Sequence, residues 1–136
     1  MQYLLDTNIC IYIIKHQPPA VLSKFKNLSP DDIGISSITY AELLYGVEKS
    51  QHINKNRDAL EKFVLPLEVF LFDDVAAQYY GKVRATLEKK GTPIGSLDLL
   101  IAAHALSLNL KLVTNNVKEF SRVPNLHVEN WAKENR

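Results

Sequence analysis

The stretch SLDLLIAAHALSLNLKLVTNN, residues 96–116, contains in order a helical pattern, a short apolar run and a polar turn. Leu97–Leu108 is strongly apolar and has the length of a helix, and Leu110–Val113 predicts a strand. The turn Thr114–Asn116 follows that strand directly. Helices and strands that alternate in this way are typical of a mostly parallel sheet.

The rest of the chain repeats this alternation of short apolar runs and helical patterns. Further strands are predicted at Tyr3–Leu5, Ile33–Ile35 and Leu67–Phe72. We expect Thr7 or Asn8 to cap the helix after the first strand, Ser36 or Ser37 to cap Ile38–Lys49, and Asp74 to cap Val75–Lys90. The right-handed crossover rule then predicts a three-layer α/β/α sandwich with a mostly parallel sheet of four to five strands.

Length and composition limit what this chain can be. With 136 residues, 46% hydrophobic and 23% charged, residues 1–136 are expected to form one soluble domain, and composition excludes a disordered or collagen-like chain. The single cysteine, Cys10, excludes an intramolecular disulfide framework, and a reducing, cytoplasmic compartment is expected. The run Ile9–Ile14 is too short to span a bilayer. A net charge of +1 means that any RNA site must be a local patch.

Polar turns follow two of the predicted strands, where sites form in parallel sheets. Asp6, Thr7 and Asn8 follow the first strand, and the turn that begins at Thr114 follows the last. Each turn taken alone is explained as well by helix capping, because Asp, Asn and Thr are favoured caps.

Two further acids occupy unexpected positions on predicted helices. Glu42 falls between Ile38 and Gly46 on a largely apolar face, and Asp98 begins a stripe of small apolar residues. Solvent exposure or a lysine partner explains Glu42 equally well, and capping explains Asp98 taken singly. Capping does not explain two acids on two apolar faces, where an unpaired charge is costly.

Asp6, Glu42 and Asp98 are therefore expected to converge at one end of the sheet. Three bare carboxylates repel one another, and a divalent cation resolves the conflict. Hard oxygen ligands favour Mg²⁺ or Mn²⁺ over zinc. Such a centre polarises a phosphoryl oxygen and activates water, so phosphodiester hydrolysis is the predicted chemistry.

Three motifs in this order resemble PIN-domain ribonucleases of the VapC toxin type, over essentially the whole chain. The first is LLDTNICIYIIK around Asp6, and the second is ISSITYAELLYGVEKS around Glu42. The third is GTPIGSLDLLIAAHALSLNLKLVTNNVKEFSRVPNLHVENW, Gly91 to Trp131, with Asp98 at the third acidic position.

The resemblance implies an endoribonuclease that depends on Mg²⁺ or Mn²⁺, with Asp6, Glu42 and Asp98 as metal ligands and catalytic residues. Thr7 and Asn8 would support the first ligand. The family commonly has a fourth acid where this chain has Asn116, so either Glu119 supplies the missing charge or Asn116 holds a water.

The resemblance also implies partners. It predicts a toxin that inhibits translation by cutting transfer RNA in the anticodon region, with initiator transfer RNA as the expected target. It further predicts a small cognate antitoxin protein and a homodimer. Arg84 and Arg122 are the side chains we would assign to RNA contact.

Two alternatives stand beside this interpretation. A phosphatase or phosphoacceptor fold also places an aspartate after the first strand, but it usually has a second aspartate nearby and a lysine after a late strand. A PIN-like scaffold that binds RNA or protein without cleaving is the other alternative, and only Asn116 favours it.

Overall fold

The protein is described by a computed structural model that covers residues 1–132. The strands are β1 (Tyr3–Leu5), β2 (Ile33–Ser36), β3 (Glu68–Phe70), β4 (Lys111–Val113) and β5 (Val128–Glu129). The α-helices are α1 (Thr7–Lys15), α2 (Pro19–Lys26), α3 (Ser37–Glu48), α4 (Ile53–Val64), α5 (Asp74–Lys89), α6 (Ser96–Leu108) and α7 (Val117–Phe120).

The five strands form one sheet in the order β3-β2-β1-β4-β5, and every neighbouring pair is parallel. Chain order reverses at β1, which pairs with β2 on one side and with β4 on the other. Leu5 at the end of β1 lies beside Ile35 and Val113. The residues that follow these three strands therefore meet at one edge of the sheet, at a topological switch point.

Both faces of the sheet are covered, as expected for continuous apolar strands. On one face Leu5 and Ile35 pack with the apolar sides of α1, α3 and α4. On the other face Leu4 and Leu112 pack with α5 and α6, which contribute Leu87 and other buried residues. These two cores confirm the predicted three-layer α/β/α fold with a parallel sheet, here of five strands.

Helix caps and strand ends differ from the predictions by a residue or two. Asp6, and not Thr7 or Asn8, caps α1, and Asp73 caps α5 in place of Asp74. Several adjacent residues can each cap a helix, so composition does not distinguish them.

The third strand is shorter than predicted, because Leu71 leaves the ladder and is 77% exposed. The cap of α3 is Ser36, one of the two predicted residues. Within the described residues no helix combines the length and the apolar content that a membrane span requires.

Candidate functional site

Asp6 occupies the junction between β1 and α1. Its backbone N–H continues the sheet by donating to the Val113 carbonyl at 3.0 Å, and its Oδ1 accepts from the Ile9 N–H at 2.9 Å. Burial raises the pKa of the Asp6 carboxyl, and the charge of Glu42 adds to this rise. Hydrogen bonds from Thr114 and from the Ile9 N–H oppose the rise by stabilising the ionised form. Asp6 is therefore a buried carboxyl that is held by hydrogen bonds and whose pKa is raised in part by the charge of Glu42.

Glu42 is oriented across the switch point by the first residue of α1. The Thr7 hydroxyl donates to Glu42 Oε1 at 2.8 Å, and it also lies 3.5 Å from the hydroxyl of buried Thr39. Because Thr7 directly follows Asp6 in the chain, this bond brings the α3 carboxylate to the end of β1.

Asp98 lies half-buried in the first turn of α6 and is coupled to the other acids. Burial raises the pKa of the Asp98 carboxyl to about 7. A hydrogen bond and the negative charge from Glu119 contribute next, followed by the charges of Asp6 and Glu42. The raised pKa of the Asp98 carboxyl thus reflects all three neighbouring acids, and Glu119 contributes the most among them.

Glu119 is held in place from two sides. Its Oε1 accepts from the Gly95 N–H at 2.8 Å, and Asn116 Nδ2 donates to its Oε2. A side chain at position 95 would lie near both acids, since a Cβ there would be 3.6 Å from Asp98 Oδ2 and 3.7 Å from Glu119 Oε1. The Asn116 amide therefore orients Glu119, and Glu119 supplies the fourth negative charge beside Asp98.

The donor set has the chemistry that suits a hard divalent cation. All four side chains offer oxygen, and within residues 1–132 no lysine or arginine forms an ion pair with Asp6, Glu42, Asp98 or Glu119. In this arrangement Asp98 turns to Glu119 and Glu42 turns to Thr7.

Within the described part of the chain, no three acidic, histidine or cysteine side chains are therefore arranged closely enough to hold one metal ion. The acids are electrostatically coupled but not yet gathered around one point. A cation would have to draw them together and favour the ionised form of Asp98, whose pKa is raised. Their role as metal ligands stays a prediction.

Thr114 and Asn8, two further predicted site residues, differ in their burial and contacts. Thr114 is fully buried; its hydroxyl hydrogen-bonds to Asp6 and accepts from the Asn116 N–H at 3.0 Å. Asn8 is exposed in the first turn of α1. Thr114 thus supports the first acid, whereas Asn8 has no such contact in the described structure.

The two predicted RNA-contact arginines lie beside the turn that leads to α6. Arg84 is exposed and donates to Glu88 at 2.9 Å and to the Tyr80 hydroxyl at 3.0 Å. Arg122 donates to the Pro93 carbonyl at 3.0 Å. Both arginines are therefore engaged within the protein, and an RNA phosphate would have to compete with these partners.

Two contributors to the site were missed from the sequence. Thr39 lies one helical turn before Glu42 on α3 and contacts Thr7. Gly95 offers its N–H to Glu119 across 24 positions in the chain. The spacing Thr39-x-x-Glu42 could have indicated the first, because residues three apart share a helix face. No local signal indicates the second.

Comparison with known proteins matches a family model described as "PIN domain" over residues 3–126. Ribonuclease VapC2 of Rickettsia felis is 48% identical over 98% of this chain and all of its own length. The tRNA(fMet)-specific endonuclease VapC of Salmonella typhimurium is 45% identical over 97% of this chain and 99% of its own.

A solved structure agrees with this match. The crystal structure of VapBC2 from Rickettsia felis, bound to a DNA fragment from their promoter, has a TM-score of 0.90 to this chain at 48% identity. The superposition covers 96% of this chain and 99% of that one. The match favours a nuclease over the phosphatase or phosphoacceptor class considered from the sequence.

Proposed function

Because the chain belongs to the PIN-domain family and is similar over nearly its whole length to VapC ribonucleases, we propose that it is a metal-dependent endoribonuclease toxin. The observation that carries the proposal is the electrostatic coupling of Asp98 to Glu119, Asp6 and Glu42 at the switch point of the sheet. Coupled carboxylates without a basic partner are the arrangement that a divalent cation stabilises.

Asp6, Glu42 and Asp98 would hold Mg²⁺ or Mn²⁺, with Glu119 as the fourth acid. When bound, such a cation supplies positive charge for a phosphoryl oxygen and lowers the pKa of water. The oxygen donor set, without histidine or cysteine, supports one of these hard ions over zinc.

The protein's own groups prepare the site for hydrolysis of a phosphodiester. Thr7 orients Glu42, while the hydrogen bonds from the Ile9 N–H and Thr114 hold Asp6 in place and oppose the rise of its pKa. Asn116 and Gly95 hold Glu119 beside Asp98. These bonds keep each carboxylate close to the edge of the sheet, and the bound cation would complete their arrangement before an RNA phosphate arrives.

We infer that transfer RNA is the substrate and that cleavage in the anticodon region of the initiator species inhibits translation. The support is the 45% identity to a protein named as a tRNA(fMet)-specific endonuclease. We propose that Arg84 and Arg122 contact phosphates of the RNA backbone, since both lie by the turn that leads to Asp98. Asn8, exposed at the start of α1, is a further side chain available to RNA.

We also propose that residues 1–136 act as one domain, as a homodimer in the cytoplasm, and that a small antitoxin inhibits the site. The antitoxin proposal is supported by likeness to the toxin in the VapBC2 complex of Rickettsia felis. A basic side chain of such a partner would find four acids that form no ion pair within residues 1–132.

Mapping of RNA ends after brief expression tests this function, with Asp98→Ala as the inactive control. We expect new 5′ ends within the anticodon loop of initiator transfer RNA in the wild type alone. In vitro, purified protein should cut that RNA with Mg²⁺ or Mn²⁺ and stop when EDTA is added. Equal cleavage by Asp98→Ala, or cleavage that persists in EDTA, would contradict the proposal.

The non-cleaving scaffold considered from the sequence rested on Asn116 as a missing acid. That argument weakens, because Asn116 donates to Glu119 and Glu119 contributes a charge next to Asp98.

A further inference from the structure

A buried histidine links the two helices that carry Glu42 and Asp98. His104 on α6 is 1% exposed, and its Nδ1 lies 2.7 Å from the hydroxyl of Ser36, which is fully buried. The same hydroxyl oxygen accepts from the Ile38 N–H at 3.1 Å and so caps α3. One hydrogen-bonded chain thus joins the middle of α6 to the first turn of α3.

The donors and acceptors around His104 determine which nitrogen of its ring carries the proton. The Ser36 oxygen already accepts from Ile38, so its hydrogen is free to donate to His104 Nδ1. The Leu71 backbone forms a second hydrogen bond to the ring, which we assign to Nε2 because Nδ1 is occupied. Burial lowers the pKa of His104, so the neutral ring with a proton on Nε2 satisfies every partner.

Aromatic packing fixes the plane of the ring. Phe72 packs edge-on to His104 with ring centroids 5.3 Å apart, and Phe70 does so at 6.5 Å. The Phe72 N–H also donates to the Ser37 hydroxyl at 3.0 Å, which ties the same segment to the first residue of α3. The start of α3 is therefore held from α6 and from the segment after β3.

The Ser36–His104 hydrogen bond connects the start of α3, which carries Glu42, to α6, which carries Asp98. Ser36 precedes Glu42 by six residues along β2 and α3, and His104 follows Asp98 by six residues on α6. Helices α3 and α6 pack together, and their internal hydrogen bonds make each nearly rigid over so short a length. A shift of the start of α3 relative to α6 would move Glu42 relative to Asp98.

We propose that His104 is a positioning residue that sets the separation of Glu42 and Asp98 through its buried hydrogen bond to Ser36. The inference rests on the proposed function, because the separation matters only if both carboxylates bind one cation. His104 is not a catalytic residue, since its ring is buried and both nitrogens are engaged within the protein. An apolar residue would fill the same space but would leave the buried Ser36 hydroxyl without its acceptor, and that contrast provides the test.

The experiment measures Mn²⁺ affinity by electron paramagnetic resonance on full-length folded protein, separately from its melting temperature. His104→Leu removes the acceptor for Ser36, whereas His104→Asn keeps an oxygen acceptor near the position of Nδ1. Ile101→Ala on the same helix is the matched control, because Ile101 is buried and its truncation lowers the melting temperature without removing a member of the hydrogen-bonded chain.

We expect His104→Leu to weaken Mn²⁺ binding about tenfold, because misplacing a ligand should cost about as much as losing a group that orients one. His104→Asn should recover most of that affinity, and Ile101→Ala should lower the melting temperature while leaving Mn²⁺ affinity unchanged. Equal affinity in His104→Leu and wild type, or an equal loss in Ile101→Ala, would overturn the inference. If His104→Leu does not fold, Ser36→Ala removes the donor from the other side and should weaken binding similarly; unchanged affinity there overturns the inference too.

A second measurement addresses the hydrogen bond without metal. Nitrogen-15 spectra of wild-type protein should show His104 with a bare Nδ1 and a protonated Nε2. A neutral ring protonated on Nδ1 would overturn the assigned bond. Wild-type protein that binds no Mn²⁺ would refute the proposed function and this inference together, whereas wild-type binding with unaffected His104 variants refutes the inference alone.

Discussion

The raised pKa of the Asp98 carboxyl makes the stability of the metal-free protein depend on pH in an unusual direction. The pKa of Asp98 rises from an ordinary value of 3.8 to about 7, so the folded state keeps a proton that the unfolded chain releases above pH 4. Stability should therefore fall as pH rises from about 4 to about 7 and then level off. Most acids whose carboxylates are paired in the folded state behave in the opposite way.

The change in the free energy of unfolding can be calculated from the pKa shift of Asp98. Three pKa units correspond to about 4 kcal/mol for a fully buried group. Asp98 is only half-buried, so solvent screening reduces this, and we expect about 1–2 kcal/mol. Asp98→Asn keeps a hydrogen-bond donor for Glu119 and removes the charge. At pH 8 in EDTA this variant should be more stable than wild type by about the same amount.

Urea unfolding followed by circular dichroism measures these differences, at pH 5 and pH 8 in EDTA and at pH 8 with Mn²⁺. Added Mn²⁺ should stabilise wild type and leave Asp98→Asn unaffected, because ligand binding to the folded state alone raises stability. Asp74→Asn is the matched control, since Asp74 is an exposed acid in the first turn of α5. Its loss should remove a favourable interaction with the helix dipole and give no gain at pH 8. Equal stability of wild type and Asp98→Asn at pH 8 would refute the coupling argument.

Substitutions at three further residues test individual contacts. Thr7→Val removes the donor to Glu42 and should lower the cleavage rate about tenfold in a transfer RNA assay without changing the fold seen by circular dichroism; an unchanged rate contradicts the orienting role. Glu119→Gln keeps an acceptor for Gly95 but removes a charge, so calorimetry should find weaker Mn²⁺ binding, and unchanged binding would show that Glu119 is not part of the metal site. Asp6→Ala and Asp6→Asn should both be inactive, but the Ala variant also loses the cap of α1 and should unfold about 1 kcal/mol more easily in urea with EDTA than the Asn variant. Equal stabilities of these two variants would argue against the capping contribution.

The sheet and the acids could be predicted because their signals are local. Tyr3–Leu5 is a continuous apolar run, as a strand buried on both faces must be, and it is β1. Asp98 stood out because its helical neighbours are small and apolar. The structure places it in the first turn of α6, where the charges of Asp6, Glu42 and Glu119 act on it. In both cases a few adjacent residues contain the whole argument.

The parts that could not be predicted depend on contacts between distant segments. Asp6, Thr7 and Asn8 can all cap a helix, and the choice of Asp6 depends on where the ladder to Val113 ends. Repulsion among the acids was visible from the sequence, but the bond from the Ile9 N–H to Asp6, which an alanine variant would lose, was only one of several possible caps.

The same reason applies to the histidine on α6. In the sequence, His104 falls six positions after Asp98 and so on a different helical face, which indicates a structural residue. Its partner Ser36 is 68 positions away, so the bond between α6 and α3 is visible only in the folded chain.

The central claim is that acids from separate parts of the chain converge to bind one divalent cation. The most direct test is a crystal of the protein soaked in Mn²⁺ and measured for anomalous scattering. The account predicts a strong peak bound by oxygens of Asp6, Glu42 and Asp98, with Glu119 beside it. A map with no peak at this edge of the sheet, or with a Mn²⁺ ion bound elsewhere while these carboxylates stay apart, would contradict it.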